Sequence, residues 1–332
     1  MVNRDNWKIV KKYLEYRESV LQNDEKTVRS AWSCLRHVLT WADKTPFADV
    51  QKLRPTLPEY ILKARADGKE GTLSPARMEK ILAFSRNMFE WMRLEYPSKY
   101  KHLAQSWIGS LRVRRSHSKG SRLPNRKFWK LEEVEQVMKV KPDSLRTRRD
   151  QAALAFLFLS AMRGAAFVTL PIRSVDLETR RVYQLPEWGV KTKNSKAAIT
   201  YLLPIDSLLR VVRDWDQYVR TRVKNVRTAW YASLHYDGLH LYDEKEVTQF
   251  SPTGRRGALY EGLKDLCERA GVEWKSPHLI RHGHGVYGAA HAQTMEEYKA
   301  LSQNMMHETI ETTDKYTDFE NDKVGDIIRT FK

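Results

Sequence analysis

The amino-acid sequence predicts a mainly α-helical protein of two domains, the second carrying a small antiparallel β-sheet. Three observations predict this. Apolar residues recur at helical spacing through roughly the first hundred positions. The pattern then breaks over residues 111–130, where LRVRRSHSKGSRLPNRKFWK holds eight Lys or Arg, no acid, Gly120, Pro124 and three serines. Beyond the break, residues 172–203 alternate and turn as strands do, and helical spacing resumes at Ile205. At 332 residues the chain has room for two cores. Its 41% hydrophobic and 11% aromatic content is that of a folded protein. The expected organisation is a helical domain over 1–112, a basic linker over 113–130, and a second domain over 131–332 that ends in a tail, 317–332.

In the first domain, residues 6–22 set Trp7, Val10, Tyr13, Leu14 and Tyr16 along one helical face. Asn23 or Asp24 can cap a second helix reaching Trp41, with Val28, Trp32, Leu35, Val38 and Leu39 inward. Pro58 stands near the start of a short third helix. Ser74-Pro75 is a cap followed by proline at the first helical position, and it opens a helix with a stripe of Met78, Ile81, Leu82, Phe84, Met88, Phe89 and Met92. That stripe reads as core packing. In the second domain, Leu131–Lys139 and Arg146–Met162 read as helices. IRSVDL, a turn at Glu178-Thr179, RRVYQL, a hairpin around Asn194-Ser195 and AAITYLLP read as the sheet. Helices follow, with turns near Gly238, Pro252–Gly254 and Gly271. The tail has apolar spots at Phe319, Val324, Ile327, Ile328 and Phe331, which suit docking on a neighbouring protomer or on its own domain.

Charge narrows the partners. Lys and Arg total 58 against 41 Asp and Glu, a net charge of +17, which favours duplex DNA, RNA or an anionic membrane. A membrane span is poorly supported: the longest apolar stretch, Ala152–Met162, is far short of the roughly 20 residues needed. MVNRDNWKIV has no signal-peptide core. Cys34 and Cys267 lie inside helical patterns and read as reduced core thiols, and two cysteines exclude a Cys-rich zinc module. In and beside the linker, Arg112, Arg114, Arg115, Lys119, Arg122, Arg126 and Lys127 suit phosphate contacts, which position a protein on DNA; a solvated spacer is the alternative.

The chemistry-bearing residues are scattered through the second domain. Arg163 lies in AMRGAAFVTL, three lysines in VKTKNSKAAITYLLP, His278 and Arg281 in SPHLIRHGHG, and His307 and Tyr316 in MMHETIETTDKYTD. A phosphodiester under attack gathers charge on its phosphoryl oxygens, and two fixed guanidiniums, Arg163 and Arg281, can clamp them. A tyrosine hydroxyl, with a pKa of about 10, needs a proton acceptor or cationic surroundings to attack. His278 can accept or relay that proton, His307 can donate to a non-bridging oxygen, and a lysine can protonate the departing 5′ oxygen. His278, His282, His284 and His291 could instead form a metal cluster, but no acidic or Cys ligand lies near at regular spacing.

These strings resemble the tyrosine recombinase family, which includes phage integrases and Xer-type resolvases. HLIRHGHG resembles its His-x-x-Arg-His box. HETIETTDKYTD resembles its ending, with paired threonines and a tyrosine nine residues after the histidine. AMRGAA resembles the segment of its first arginine. The resemblance spans residues 131–320 and implies a helical core-binding (SAM-like) domain followed by an α+β catalytic domain, closing on DNA as a C-shaped clamp. It implies Tyr316 as nucleophile, with Arg163, Arg281, His278, His307 and Lys191 or Lys193 around it. Lys191 is followed by Thr as in many integrases, whereas Lys193 sits closest to the Asn-Ser turn; both rank ahead of Lys196. No metal or cofactor is expected.

The resemblance also implies site-specific recombination or DNA integration through a 3′-phosphotyrosyl bond and a Holliday junction, by a dimer per site and a tetramer in synapsis. The setting it implies is the DNA of a prokaryotic or viral system, in the cytoplasm. The short lead into the first helix suggests a simple recombination site without distant arm sites. Relaxation of DNA in the manner of a type IB topoisomerase, and a DNA-binding regulator with a decayed site, are the competing readings. The family's usual acid three residues after the first arginine is Ala166 here, the glycine before the late histidine is Met306, and the interval around His291–Glu297 is a little long.

Overall fold

The computed structural model describes residues 2–113, 127–235, 237–242 and 252–314. The chain divides into two compact units, Met1–Arg122 and Leu123–Lys332. Tyr316, the tail residues Phe319, Val324, Ile327, Ile328 and Phe331, and the linker residues Arg114, Arg115, Lys119, Arg122 and Arg126 lie outside the described residues.

The first unit is helical: α1 Arg4–Ser19, α2 Glu25–Ala42, α3 Leu57–Lys63, α4 Pro75–Glu95, α5 Pro97–Tyr100 and α6 Gln105–Ser110. Side chains capable of capping fix the starts. Asn3 accepts from the Asp5 and Asn6 amides, Asp24 from Thr27 and Ser74 from Arg77. The Glu59 carboxylate accepts from the Thr56 amide. Each such cap is worth about 1 kcal/mol. The buried stripe of α4 is Met78, Ile81, Leu82, Ser85, Met88, Phe89, Trp91 and Met92, with Phe84 half-buried at its edge. The inner face of α1 differs from expectation. Trp7 is exposed and sets its ring edge-on to Trp32, while Asn6, Ile9, Val10 and Tyr13 are buried. Asn6 tolerates burial because its carboxamide donates to Thr45 O and accepts from the Phe47 amide, each at 2.8 Å.

The second unit contains α7 Leu131–Met138, α8 Leu145–Ser160, α9 Gly164–Phe167, β1 Val175–Asp176, β2 Arg181–Gln184, β3 Ala198–Tyr201, α10 Asp206–Arg222, α11 Pro252–Ala270, α12 Pro277–His291, α13 Met295–Asn304 and α14 Ile310–Asp314. Its core is built around α8. From Arg149 to Ser160 every residue of α8 is buried, and α10, α11 and α12 pack against it. A helix apolar on all sides belongs at the centre of a domain, which explains the long apolar run. Among the described residues no helix is long and apolar enough to cross a membrane. Cys34 and Cys267 are buried and free, and burial pushes the Cys267 thiol up to about 11.

The sheet is antiparallel in the order β1-β2-β3, with Val182 opposite Thr200. It is smaller than its sequence suggested. Ile172–Ser174 forms a 3-10 turn, and β1 has two residues. No tight hairpin joins β2 to β3; residues 185–197 make a longer connection. The Asn194-Ser195 turn lies inside that connection, both residues left-handed at φ 57° and 50°.

Candidate active site

Arg163 precedes α9 and is half-buried. Arg281 lies on the buried side of α12 at 3% exposure. Its guanidinium donates from Nη1 to the Ala161 carbonyl at 2.6 Å and from Nη2 to the Met305 carbonyl. Those carbonyls end α8 and α13, so one cation ties three helices together. Both ends are presented by left-handed residues, Ala161 at φ 53° and Met306 at φ 55°.

His278 stands one turn before Arg281, exposed, with the His282 ring edge-on at 5.4 Å. Its pKa is lowered by loss of hydration, then by the charges of Arg281 and Arg163. His307 is 8% exposed, and its pKa is pushed down to about 4 by burial, then by Arg281, Arg163 and His282. Both imidazoles thus feel both guanidiniums. The other histidines do not join a metal cluster. Nδ1 of His284 faces the Phe158 carbonyl and Nδ1 of His291 the Tyr287 carbonyl, each at 2.7 Å. Among the described residues no group of three or more His, Cys, Asp or Glu could hold a metal ion.

A cavity of about 80 Å³ opens at this cluster, lined by Arg163, Lys193, Lys196, Met306, His307, Glu308 and Thr312. Of the three lysines, Lys193 and Lys196 line it and Lys191 does not. The Lys191 amide instead donates to Thr169 Oγ1 at 2.9 Å, which pins the chain beside α9 and carries it on to Lys193. Of the basic residues expected to contact phosphates, the two that are described are Arg112, which is exposed, and Lys127, which is paired with Glu273.

Sequence reasoning missed several residues that shape the site. Asn304, at the end of α13, uses its carboxamide as a short strand: it accepts from the Tyr201 amide at 2.6 Å and donates to the Tyr201 carbonyl at 2.9 Å. This clamps β3, and with it the lysine-bearing connection, to the helix that leads into His307. The two residues are 103 apart in sequence, so no local signal could have shown the pairing. Lys196, Glu308 and Thr312 lay inside strings already singled out, but which of them face the cavity depends on the fold. Ala166, where the resemblance leads one to expect an acid, is 2% exposed, and its carbonyl accepts from Thr169 Oγ1.

The comparisons name the family. The Phage integrase family model matches residues 127–322, and the chain belongs to that family. The fold is that of the tyrosine recombinases. Residues 75–356 of lambda integrase, as a dimer bound to a COC′ core site, match with a TM-score of 0.63 at 13% identity, over 96% of each chain. The XerH site-specific recombinase bound to a palindromic difH substrate matches at 0.61 and 14% identity, over 97% of this chain and 83% of that one. The Tn1549 transposon integrase in complex with a circular intermediate DNA matches at 0.60 and 13% identity, over all of both. A search of the curated proteins finds no match.

Proposed function

We propose that this chain is a site-specific DNA recombinase that cuts and rejoins strands through a covalent bond to Tyr316. One observation carries the reading: Arg163, His307 and two lysines of the β2–β3 connection line one small cavity, and the charges of Arg281 and Arg163 act on both His278 and His307, so residues of four separate stretches meet there, with Tyr316 nine residues after His307 in sequence. Arg163 and Arg281 clamp the non-bridging oxygens of the scissile phosphate, and His307 donates a hydrogen bond to one of them. The Tyr316 oxygen attacks phosphorus while its proton passes to His278. The phosphorus–5′ oxygen bond breaks, and the 5′ oxygen takes a proton from Lys193. Its place in the cavity favours Lys193 over Lys191. The product is a 3′-phosphotyrosyl bond and a 5′ hydroxyl. A 5′ hydroxyl from a partner strand then attacks, the phenol leaves, and the strand is sealed without a nucleotide cofactor.

Two such exchanges on a synapse of four protomers, a dimer on each site, would pass through a Holliday junction. Lambda integrase appears as a dimer on a core site in the structural neighbour, which supports the dimer step. The remaining basic residues, Arg112, Arg114, Arg115, Lys119, Arg122, Arg126 and Lys127, would follow the phosphate backbone, and Lys127 would exchange Glu273 for a phosphate on binding. The work would be done on DNA in the cytoplasm. The test is incubation with a nicked duplex that loses its 5′ hydroxyl fragment after cleavage. A protein–DNA adduct from the wild type and none from Tyr316→Phe is expected. Tight binding with no adduct from the wild type would overturn the proposal.

A further inference from the structure

Behind the late histidine lies a closed ring of three hydrogen bonds. The His307 amide donates to the Ser302 carbonyl at 3.1 Å. The Thr313 hydroxyl donates to Ser302 Oγ at 2.7 Å. The Thr313 oxygen also faces His307 Nδ1 at 2.7 Å. All three residues are buried, Thr313 at 0%, Ser302 at 3% and His307 at 8%. A hydroxyl has one proton. Thr313 gives its proton to Ser302, so toward the imidazole it can only accept, and Nδ1 must carry a hydrogen. In the neutral ring the lone pair then sits on Nε2.

We infer that Thr313, seated on Ser302, is a positioning residue that holds His307 with its proton on Nδ1, so that His307 can donate to a phosphate only after Nε2 takes up a second proton. This rests on the proposed contact between His307 and the scissile phosphate. Engagement of that phosphate is therefore coupled to uptake of one proton. Without DNA the ring resists protonation, first because it is buried and then because of the charges of Arg281 and His282 on α12 and Arg163 before α9; Lys193 and Lys196 of the β2–β3 connection and the acid Glu308 line the same cavity, and His278 lies one turn before Arg281. An arriving phosphate anion reverses that balance.

Two measurements test this. The first uses DNA-free protein with ¹⁵N-labelled histidine and reads which His307 nitrogen is protonated, with His307→Gln to assign the signal. A hydrogen on Nδ1 is expected, and one on Nε2 in the neutral ring overturns the inference whether or not the protein cuts DNA. The second measures affinity for a site duplex against pH in the Tyr316→Phe background. With Thr313 or Thr313→Ser, affinity should fall up to tenfold per unit as pH rises through the window where the free ring is neutral and the bound ring still holds its proton. With the isosteric Thr313→Val, which frees the ring to carry its hydrogen on Nε2, that pH dependence should disappear. His278 and His282 make none of the three hydrogen bonds of the ring, so the difference between variants reports on His307. An unchanged slope in Thr313→Val overturns the inference. Failure of the wild type to form an adduct overturns the functional proposal alone.

Discussion

A single methyl group on Gly283 tests how α12 is seated. A Cβ at this position would lie 2.0 Å from the carbonyl oxygen of Trp129, 3.0 Å from its carbonyl carbon and 3.1 Å from the Phe158 ring. Carbon–oxygen contacts settle at about 3.3–3.6 Å, so helix and chain must part by roughly 1.3 Å. Neither neighbour can yield easily. Trp129 and Phe158 are fully buried, the Trp129 amide donates to Leu279 O at 3.2 Å, and its indole donates to Lys275 O at 3.1 Å. Overpacking of about 1–3 kcal/mol, plus a weakened buried hydrogen bond of about 1 kcal/mol, gives a loss near 3 kcal/mol for Gly283→Ala. The displacement would also pull Arg281 from the Ala161 and Met305 carbonyls, and a misplacement of about 1 Å costs on the order of 100-fold in rate. Urea denaturation read by hydrogen exchange in peptides of α8 and α12 isolates this unit, and adduct formation on nicked DNA gives the rate. Gly257→Ala, on α11 with nothing within 4 Å of its Cβ, is the control and should be neutral or slightly stabilising. A Gly283→Ala protein within about 0.5 kcal/mol of wild type, with the wild-type adduct rate, would refute the reasoning.

Asn304→Ala removes both hydrogen bonds to the Tyr201 backbone and should lower stability in urea by about 1–2 kcal/mol and slow adduct formation several-fold. Met306→Gly sets two effects against each other. Relief of a left-handed non-glycine residue gains about 1–2 kcal/mol, but loss of a side chain 8% exposed and added backbone freedom cost about 2–5 and 0.5–1 kcal/mol. The net should be a loss of roughly 2 kcal/mol in urea denaturation. His284 and His307, each pushed from the usual 6.5 down to about 4, bind protons more readily unfolded than folded. Stability should therefore be full above about pH 6.5 and fall as pH drops toward 4, by at most about 3 kcal/mol per group. Denaturation midpoints at pH 7.5, 6 and 5 check this, and His284→Gln should flatten the curve.

Much of this was legible in the sequence, for local reasons. Ser74-Pro75 and Asp24 mark helix starts because a cap acts on amides two or three residues away. Arg163, His278, Arg281 and His307 were visible through strings whose order mattered more than any one residue. What escaped depends on distance in sequence or on backbone shape. Trp7 fits an apolar face by spacing, but Asn6 fills the inner side because Thr45 and Phe47 arrive to satisfy its carboxamide. Asn194-Ser195 was recognised as a turn, yet its place inside a long β2–β3 connection was not, because turn chemistry fixes a bend and not the strands that flank it. That Lys193 and Lys196 line the cavity and Lys191 does not depends on the path of the chain past Thr169, which accepts from the Lys191 amide and which no pattern of side chains announces. Met306 stands where the resemblance leads one to expect glycine, and its backbone is left-handed at φ 55°, a feature of backbone shape that a methionine in the sequence does not announce.

The most direct measurement is mass spectrometry of the peptide left on DNA after the nicked substrate is trapped and the protein digested. The nucleotide mass should be found on Tyr316. A nucleotide on any other residue, or a fully active protein that leaves none, would contradict the account.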